Sequence, residues 1–210
     1  MRAISEILLD LEAVSLSPKI PFVWASGIKS PIYCDNRITL SYPRERKVIE
    51  EALVDLIQKD FPEVEAILGT ATAGIPHASI VAWIMDLPTG FIRGKAKDHG
   101  KAKQIEGDFK RGEKVVVVED LFSTGKSSIE AAKAAREAEL DVLGVVSIFT
   151  YGMLSCQENF TEAGLEFRSL SDFTTLIQVA EEKGILTLEE VARLEEWRKN
   201  PKDESWIRND

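Results

Sequence analysis

The stretch Val115–Ser128, VVVVEDLFSTGKSS, contains the pattern that decides the fold class of this chain. Four consecutive valines are typical of a strand buried on both faces, as the strands of a parallel sheet are. The polar residues behind them predict a turn over 119–127 and then a helix over 128–138. Ligands of open α/β sheets bind at the carboxyl ends of the strands, so this turn is the first candidate for a functional site.

Strands and helices alternate around this stretch from residue 64 onward. The alternation predicts an α/β fold in which helices flank a parallel central sheet. Ser155 with Glu158, and Thr187 with Glu190, have capping-box spacing and predict two helix starts. The predicted elements are strands over 64–68, 89–93, 115–118, 142–149 and 165–170, and helices over 76–85, 128–138, 155–164 and 187–199.

The N-terminal part of the chain has a different order. Apolar residues within Ser5–Leu16 have helical spacing, and the aromatic and β-branched residues of 22–40 predict a hairpin. Pro43 suits the first turn of an amphipathic helix over 44–59. We expect one domain over 1–210, with a core of about 44–180 and a small cap, or hood, made of about 1–40 and the C-terminal helix.

The turn behind the valines carries groups that suit a phosphorylated sugar. Hydroxyls and backbone N–H groups at a helix N-terminus favour a phosphate, and Ser123, Thr124 and Ser127 stand at such a point. Glu119 and Asp120 would repel that phosphate at close range, so they fit vicinal sugar hydroxyls or a hydrated metal ion. The turn is not a Walker A motif, because Asp120 occupies the position of that motif's first glycine.

This segment resembles the phosphoribosyl pyrophosphate (PRPP) motif of type I phosphoribosyltransferases. The resemblance implies that the two acids hold the ribose and that the loop behind them cradles the 5′-phosphate. Lys126 stands where a small residue, usually glycine, is common in that family. The implied PRPP-binding residues here are Glu119, Asp120, Leu121, Phe122, Ser123, Thr124, Gly125, Lys126 and Ser127.

Three further segments resemble orotate phosphoribosyltransferases in particular. Phe22–Arg37, FVWASGIKSPIYCDNR, is similar to their N-terminal signature, and Gly69–Pro76, GTATAGIP, to their pyrophosphate loop. Phe91–Gly107, FIRGKAKDHGKAKQIEG, is similar to their catalytic loop. The resemblance implies that Lys29, Tyr33, Cys34 and Ser123 bind orotate, and that Thr72 and Ala73 bind PRPP.

The catalytic-loop segment is a basic island in an acidic chain. Residues 93–114 contain eight Lys or Arg and four Asp or Glu, whereas the whole chain has a net charge of −9. A basic segment suits a polyanion, and pyrophosphate leaves as one. The resemblance implies that Arg93, Lys97 and His99 contact the diphosphate and, with Asp120, are catalytic. It also implies a homodimer in which the 93–107 loop reaches the neighbouring subunit's site.

The implied reaction transfers the 5-phosphoribosyl group from PRPP to orotate, giving orotidine 5′-monophosphate and pyrophosphate in de novo pyrimidine (UMP) biosynthesis. The resemblance implies Mg²⁺ as cofactor, bound mainly through PRPP with no direct protein ligand. Enteric-type members carry cations where this chain has Ala25, Ala73 and Tyr151. Lys29 and the basic loop are therefore expected to contribute more of the anion binding.

Two other functions remain open at this point: a purine phosphoribosyltransferase, and a non-enzymatic PRPP-sensing regulator. An acidic chain is a poor candidate for nucleic-acid binding, and 181–210 holds nine acids against six bases. Its apolar runs are too short to span a bilayer, and Met1–Glu12 does not resemble a secretory signal. We therefore expect a cytoplasmic enzyme that binds neither nucleic acid nor membrane, with Cys34 and Cys156 as free thiols.

Overall fold

The valine run forms the middle of a long strand, Lys114–Phe122, in the computed structural model, which describes residues 1–24, 26–94 and 104–207. The strands are β1 (Val14–Leu16), β2 (Phe22–Val23), β3 (Lys29–Ser30), β4 (Ile32–Cys34), β5 (Ala66–Thr70), β6 (Thr89–Ile92), β7 (Ile105–Glu106), β8 (Lys114–Phe122), β9 (Asp141–Thr150) and β10 (Phe167–Asp172). The helices are α1 (Arg2–Asp10), α2 (Pro43–Asp60), α3 (Gly74–Met85), α4 (Lys126–Glu137), α5 (Leu154–Glu162), α6 (Phe173–Glu182) and α7 (Leu188–Lys199), with a 3₁₀-helix over Asn36–Ser41.

Six strands form the central sheet in the order β10-β9-β8-β5-β6-β7. Every neighbouring pair is parallel except β6 with the short β7. Val115–Val118 are fully buried in β8, because β5 and β9 pair with its two edges and helices cover its faces. The predicted α/β fold with a parallel, helix-flanked sheet is confirmed.

A buried polar pair joins helices α2 and α3. Pro43 begins α2 as predicted, and this helix turns Ile49, Leu53 and Ile57 into the core. Glu50 lies on the same helix, and its Oε1 is 2.6 Å from Nδ1 of His77 on α3. Both side chains are fully buried, and burial raises the pKa of Glu50.

The first predicted helix is shorter than its apolar pattern suggested. It ends at Asp10, Glu12 adopts a positive φ of 54°, and Val14–Leu16 pairs antiparallel with β4 instead. The tertiary pairing with β4 outweighs the weak helical preference of this segment. The predicted hairpin within 22–40 forms, since β2 pairs antiparallel with β3.

The structure also corrects the boundaries around the valine run. Residues 119–122 lie on β8 rather than in the turn, because Glu119 and Phe122 pair with Ser147 and Thr150 of β9. The turn is therefore confined to 123–125, and α4 begins at Lys126.

Three further differences concern helices. Ser155 caps nothing: α5 begins one residue earlier, with Met153 at its N-cap and no side-chain cap. The capping box of Thr187 and Glu190 forms as predicted. The 3₁₀-helix and α6 are absent from the sequence prediction, although the carboxylates of Asp35 and Asp172 cap their N-termini.

The C-terminal segment packs on the N-terminal strands. The indole N–H of Trp197 on α7 donates to the carbonyl of Lys29, 3.1 Å away. The ammonium of Lys29 lies 2.8 Å from a carboxylate oxygen of Glu204. Trp206, which follows Glu204 closely in the chain, is buried. No helix within the described ranges is long and apolar enough to cross a bilayer.

Candidate active site

Two adjacent acids at the carboxyl end of β8 have different surroundings. Glu119 is buried; its carboxylate accepts the backbone N–H of Asp120 at 3.0 Å and the hydroxyl of Ser128 at 3.3 Å. Burial, aided by the neighbouring Asp120, raises the pKa of Glu119 to about 8. Asp120 is only partly buried. Of the two predicted ribose-binding acids, Asp120 is thus the one more open to a ligand.

The turn behind these acids is shaped for close approach to an anion. Gly125 has a φ of 74°, and a Cβ there would lie 2.6 Å from the ring of Phe160. No side chain caps the N-terminus of α4, so its first N–H groups are left for a ligand. Lys126 is exposed, and its φ is not positive, so it takes the usual glycine position without strain.

A side chain that sequence analysis missed braces this turn. The amide of Asn159 on α5 donates to the carbonyl of Thr124, 2.8 Å away. No sequence signal links the two residues, which lie 35 positions apart. The contact fixes the backbone where the 5′-phosphate is expected.

The predicted pyrophosphate loop lies directly beside the end of β8. A Cβ on Gly74, the first residue of α3, would lie 2.3 Å from the carbonyl oxygen of Val118. Only glycine allows this approach, which places Thr72 and Ala73 next to the acid-bearing strand. Thr72 is exposed, and α3 has no side-chain cap, so N–H groups are available here too.

A pocket next to the end of β8, which we call the aromatic pocket, includes Trp24, Tyr33 and Tyr151 in its lining. Three of the four residues predicted to bind orotate, Tyr33, Cys34 and Ser123, line it. Lys29 is not among its lining residues; its ammonium forms an ion pair with Glu204 instead. Within the described residues, the lining is Val23, Trp24, Tyr33, Cys34, Leu121, Ser123 and Tyr151.

Two aromatic rings of this pocket were not predicted as site residues. The rings of Trp24 and Tyr151 lie 5.0 Å apart, and Trp197 packs edge-on against Trp24 at 5.6 Å. Burial raises the pKa of Tyr151, so it is a neutral phenol. In the sequence Tyr151 stood out only as a missing cation; the structure shows that it is a wall of the pocket.

The basic segment is described only at its two ends. Nε and Nη2 of Arg93 each lie 2.6 Å from Oε1 of Glu106, across the β6–β7 pair. Lys97 and His99 lie outside the described residues, as does Ala25. The predicted diphosphate contacts of Arg93 would therefore replace its ion pair with Glu106.

The donor set fits a magnesium ion that arrives with its substrate. Among the described residues, no group of three or more His, Cys, Asp or Glu could hold a metal ion. Mg²⁺ keeps several waters and is commonly bound by one or two carboxylates together with substrate phosphates. The N-termini of α3 and α4, which have no side-chain cap, and the partly buried Asp120 fit an ion that substrate phosphates mainly hold.

Known proteins share both the sequence and this architecture. Residues 40–154 match the phosphoribosyl transferase domain. The chain is 55% identical over 206 residues to the orotate phosphoribosyltransferases of Bacillus cytotoxicus and Bacillus cereus, and the match covers 98% of each chain.

Solved structures agree with this assignment. The crystal structure of orotate phosphoribosyltransferase from Aeropyrum pernix is 27% identical with a TM-score of 0.75, over 88% of this chain and 99% of that one. The Leishmania donovani UMP synthase, at 24% identity and a TM-score of 0.79, shares the fold over 93% of this chain and 41% of its own. The chain described here belongs to the orotate phosphoribosyltransferase family.

Proposed function

We propose that this protein transfers the 5-phosphoribosyl group of PRPP to orotate with Mg²⁺, through the site at the end of β8. One observation carries the proposal: Ser123 lines the aromatic pocket and also begins the turn at the helix α4 N-terminus. A base in the pocket and a sugar phosphate on the turn would meet beside Asp120, where the new bond must form. The family's activity and the product, orotidine 5′-monophosphate, follow from this arrangement.

The acids and the turn would hold the phosphoribosyl group. Hydroxyls and N–H groups of 123–127 would bind the 5′-phosphate, and Asp120 the ribose hydroxyls. Breaking the bond at C1 builds positive charge on the ribose, which the carboxylate of Asp120 would stabilise. Glu119, buried behind it, would orient Asp120 through its backbone N–H.

The departing diphosphate would lie between the Thr72–Ala73 loop and the basic segment. Arg93, together with Lys97 and His99 of the segment outside the described residues, would neutralise its growing charge. Mg²⁺, held mainly by the diphosphate, would supply further charge neutralisation when bound. Orotate is already an anion, so its ring nitrogen needs no strong base from the protein.

The pocket would hold orotate mainly by ring contacts and a few polar groups. Trp24 and Tyr151 offer aromatic faces, and Ser123 offers a hydroxyl for the pyrimidine. Lys29 would reach the substrate carboxylate only by leaving Glu204; an exposed ion pair of this kind is weak, about 0–1 kcal/mol. We further propose a cytoplasmic homodimer with the 93–107 loop shared between subunits, and a hood of 1–40 and α7 over the core.

The direct test is the loss of orotate absorbance when purified protein, PRPP and Mg²⁺ are combined. We expect rapid consumption of orotate that stops with EDTA, and no turnover of adenine or hypoxanthine. Turnover of a purine without orotate would show that the pocket was assigned to the wrong base. PRPP binding without turnover of any base would instead favour a PRPP-sensing regulator.

A further inference from the structure

Asn36 is a fully buried polar side chain with both ends of its amide engaged. Its Nδ2 donates to the backbone carbonyl of Asp120 at 2.7 Å. Its Oδ1 accepts from the thiol of Cys34, with a sulfur–oxygen distance of 3.3 Å. Asn36 has no exposed surface, so water cannot replace either partner.

These two partners belong to different halves of the site. Cys34 lines the aromatic pocket, and Asp120 is the more open acid at the end of β8. Asn36 and Asp120 are 84 positions apart in the chain, and their bond joins the end of the N-terminal strands to the central sheet. One side chain therefore connects the wall of the base pocket to the ribose-binding backbone.

The backbone around Asn36 is held independently of its amide. The hydroxyl of Thr39 donates to the carbonyl of Asn36 at 2.7 Å, and the N–H of Asp35 donates to the carbonyl of Ala13 at 2.7 Å. The carboxylate of Asp35 caps the 3₁₀-helix by accepting the N–H of Arg37. Truncating the side chain of Asn36 would thus remove the connection while leaving the local chain path supported.

We propose that Asn36 is a positioning residue that couples the base pocket to the ribose site by fixing the backbone of Asp120. The inference rests on the proposed function, since it takes the pocket as the base site and Asp120 as the ribose contact. The amide donates at one end and accepts at the other, which neither an ionised Asp nor Leu can do. Asn36 acts through Asp120 and Cys34 and needs no contact with substrate.

The test compares Asn36→Ala, which loses both bonds, with Asn36→Asp, which keeps the acceptor for Cys34 but cannot donate to Asp120 when ionised. Initial rates over a grid of both substrates give kcat and the two KM values, and thermal melts report folding. We expect Asn36→Ala to lower kcat/KM for PRPP about tenfold, as loss of one buried hydrogen bond allows. A rise in the KM for orotate should accompany it, and Asn36→Asp should retain the PRPP defect.

Asn159→Ala is the matched control. It also removes an amide-to-carbonyl bond, at 2.8 Å, but its partner is Thr124 in the phosphate turn, and Asn159 is not among the residues that line the pocket. We expect it to raise the KM for PRPP and to leave that for orotate unchanged. If Asn36→Ala fails to fold, Asn36→Asp still tests the bond to Asp120 through kcat/KM for PRPP; if Asn36→Asp fails to fold, Asn36→Ala tests both bonds.

Some outcomes would overturn the inference. A folded Asn36→Ala protein with kinetic constants within about twofold of wild type would do so, as would a lower melting temperature with unchanged kinetics. A PRPP defect without any orotate defect would show that Asn36 supports Asp120 but does not couple the sites. If wild-type protein failed to consume orotate, the proposed function would fall; calorimetric PRPP binding by wild type and Asn36→Ala would then decide whether Asn36 supports the ribose site.

Discussion

At the residue scale, Glu119 and Asp120 are adjacent in the chain but differ in how deeply their carboxylates are buried. The side chain of Glu119 is buried beside Ser128 and Thr70, whereas the side chain of Asp120 is only partly buried. The proton on Glu119 is therefore held more tightly in the folded protein than in the unfolded chain. Its contribution to stability must depend on pH.

Glu119→Gln is expected to flatten the pH dependence of stability in the unliganded protein. The folded pKa of about 8 lies above the unfolded value of 4.5, so the folded state binds more protons between them. Stability then falls as pH rises from 4.5 through 8. Thermal melts across this range should show the variant more resistant at the alkaline end, by about 5 °C.

Glu130→Gln, at an exposed position on α4, is the control and should keep the wild-type slope. A remaining slope in the Glu119 variant is expected from Glu50, whose pKa burial also raises. An unchanged slope in the Glu119 variant would contradict the assignment.

Asp120→Asn is expected to lower kcat by about a hundredfold, because a neutral amide cannot stabilise charge developing on the ribose. The fold should survive, since the backbone bonds of Asp120 to Glu119 and Asn36 do not use its carboxylate. Activity assays and melts measure the two effects separately. Full activity in this variant would show that Asp120 is only a strand-end residue; Asp141→Asn, at the start of β9, is the matched acid control.

At the element scale, the site depends on how closely α3 approaches β8. Thr70 at the end of β5 and Gly74 at the start of α3 both contact the carbonyl region of Val118. The loop between them is held against the central strand by backbone rather than by long side chains. Its position therefore depends on the absence of one Cβ.

Gly74→Ala is expected to destabilise the protein by about 3 kcal/mol and to raise the KM for PRPP. The added Cβ would lie 2.3 Å from the carbonyl oxygen of Val118 and 2.6 Å from Oγ1 of Thr70, so α3 must move. Urea unfolding and PRPP kinetics measure the two effects. Gly94→Ala is the stability control, because a Cβ there meets nothing described within 4 Å; equal stability of the two variants would argue against the close packing.

The limits of sequence analysis are clearest among the elements. Runs with strong local signals, such as Val115–Val118 and the helix after Pro43, could be predicted because burial and capping act over a few residues. A turn behind the valines could also be predicted, but its length could not, because the pairing of residues 119–122 with β9 is a tertiary contact. Asn36 and Tyr151 could not, because their roles come from contacts with residues far away in sequence.

The family and its activity, predicted from four segments, are confirmed, while the individual site residues stay predictions. Lys29 illustrates the difference. Its motif predicts a substrate contact, yet its ammonium forms an ion pair with Glu204. Glu204 lies 175 positions from Lys29 in the chain, so no local sequence pattern predicts this ion pair.

At the scale of the whole molecule, the proposed sharing of the 93–107 loop makes a prediction about mixed dimers. Lys97→Ala is expected to be nearly inactive for lack of a loop cation, and Asp120→Asn for lack of the ribose acid. If each site combines the core of one subunit with the loop of the other, a heterodimer of the two variants has one intact site.

Refolding the two variants together should then recover about one quarter of wild-type activity, since half of the random dimers are mixed and half of their sites are intact. Each variant refolded alone is the control. Absence of recovery, with mixed dimers present by native mass spectrometry, would show that each loop serves its own subunit.

The edge-on packing of Trp24 against Trp197 has an optical consequence. Trp24 lines the pocket proposed to bind orotate and Tyr151 lies beside it, so an occupant of the pocket would displace water from an indole ring. Intrinsic emission should therefore change on titration with orotate, and Trp24→Phe should abolish most of the change. Trp83, exposed on α3, should supply a constant background. The protein thus carries its own label-free reporter of pocket occupancy.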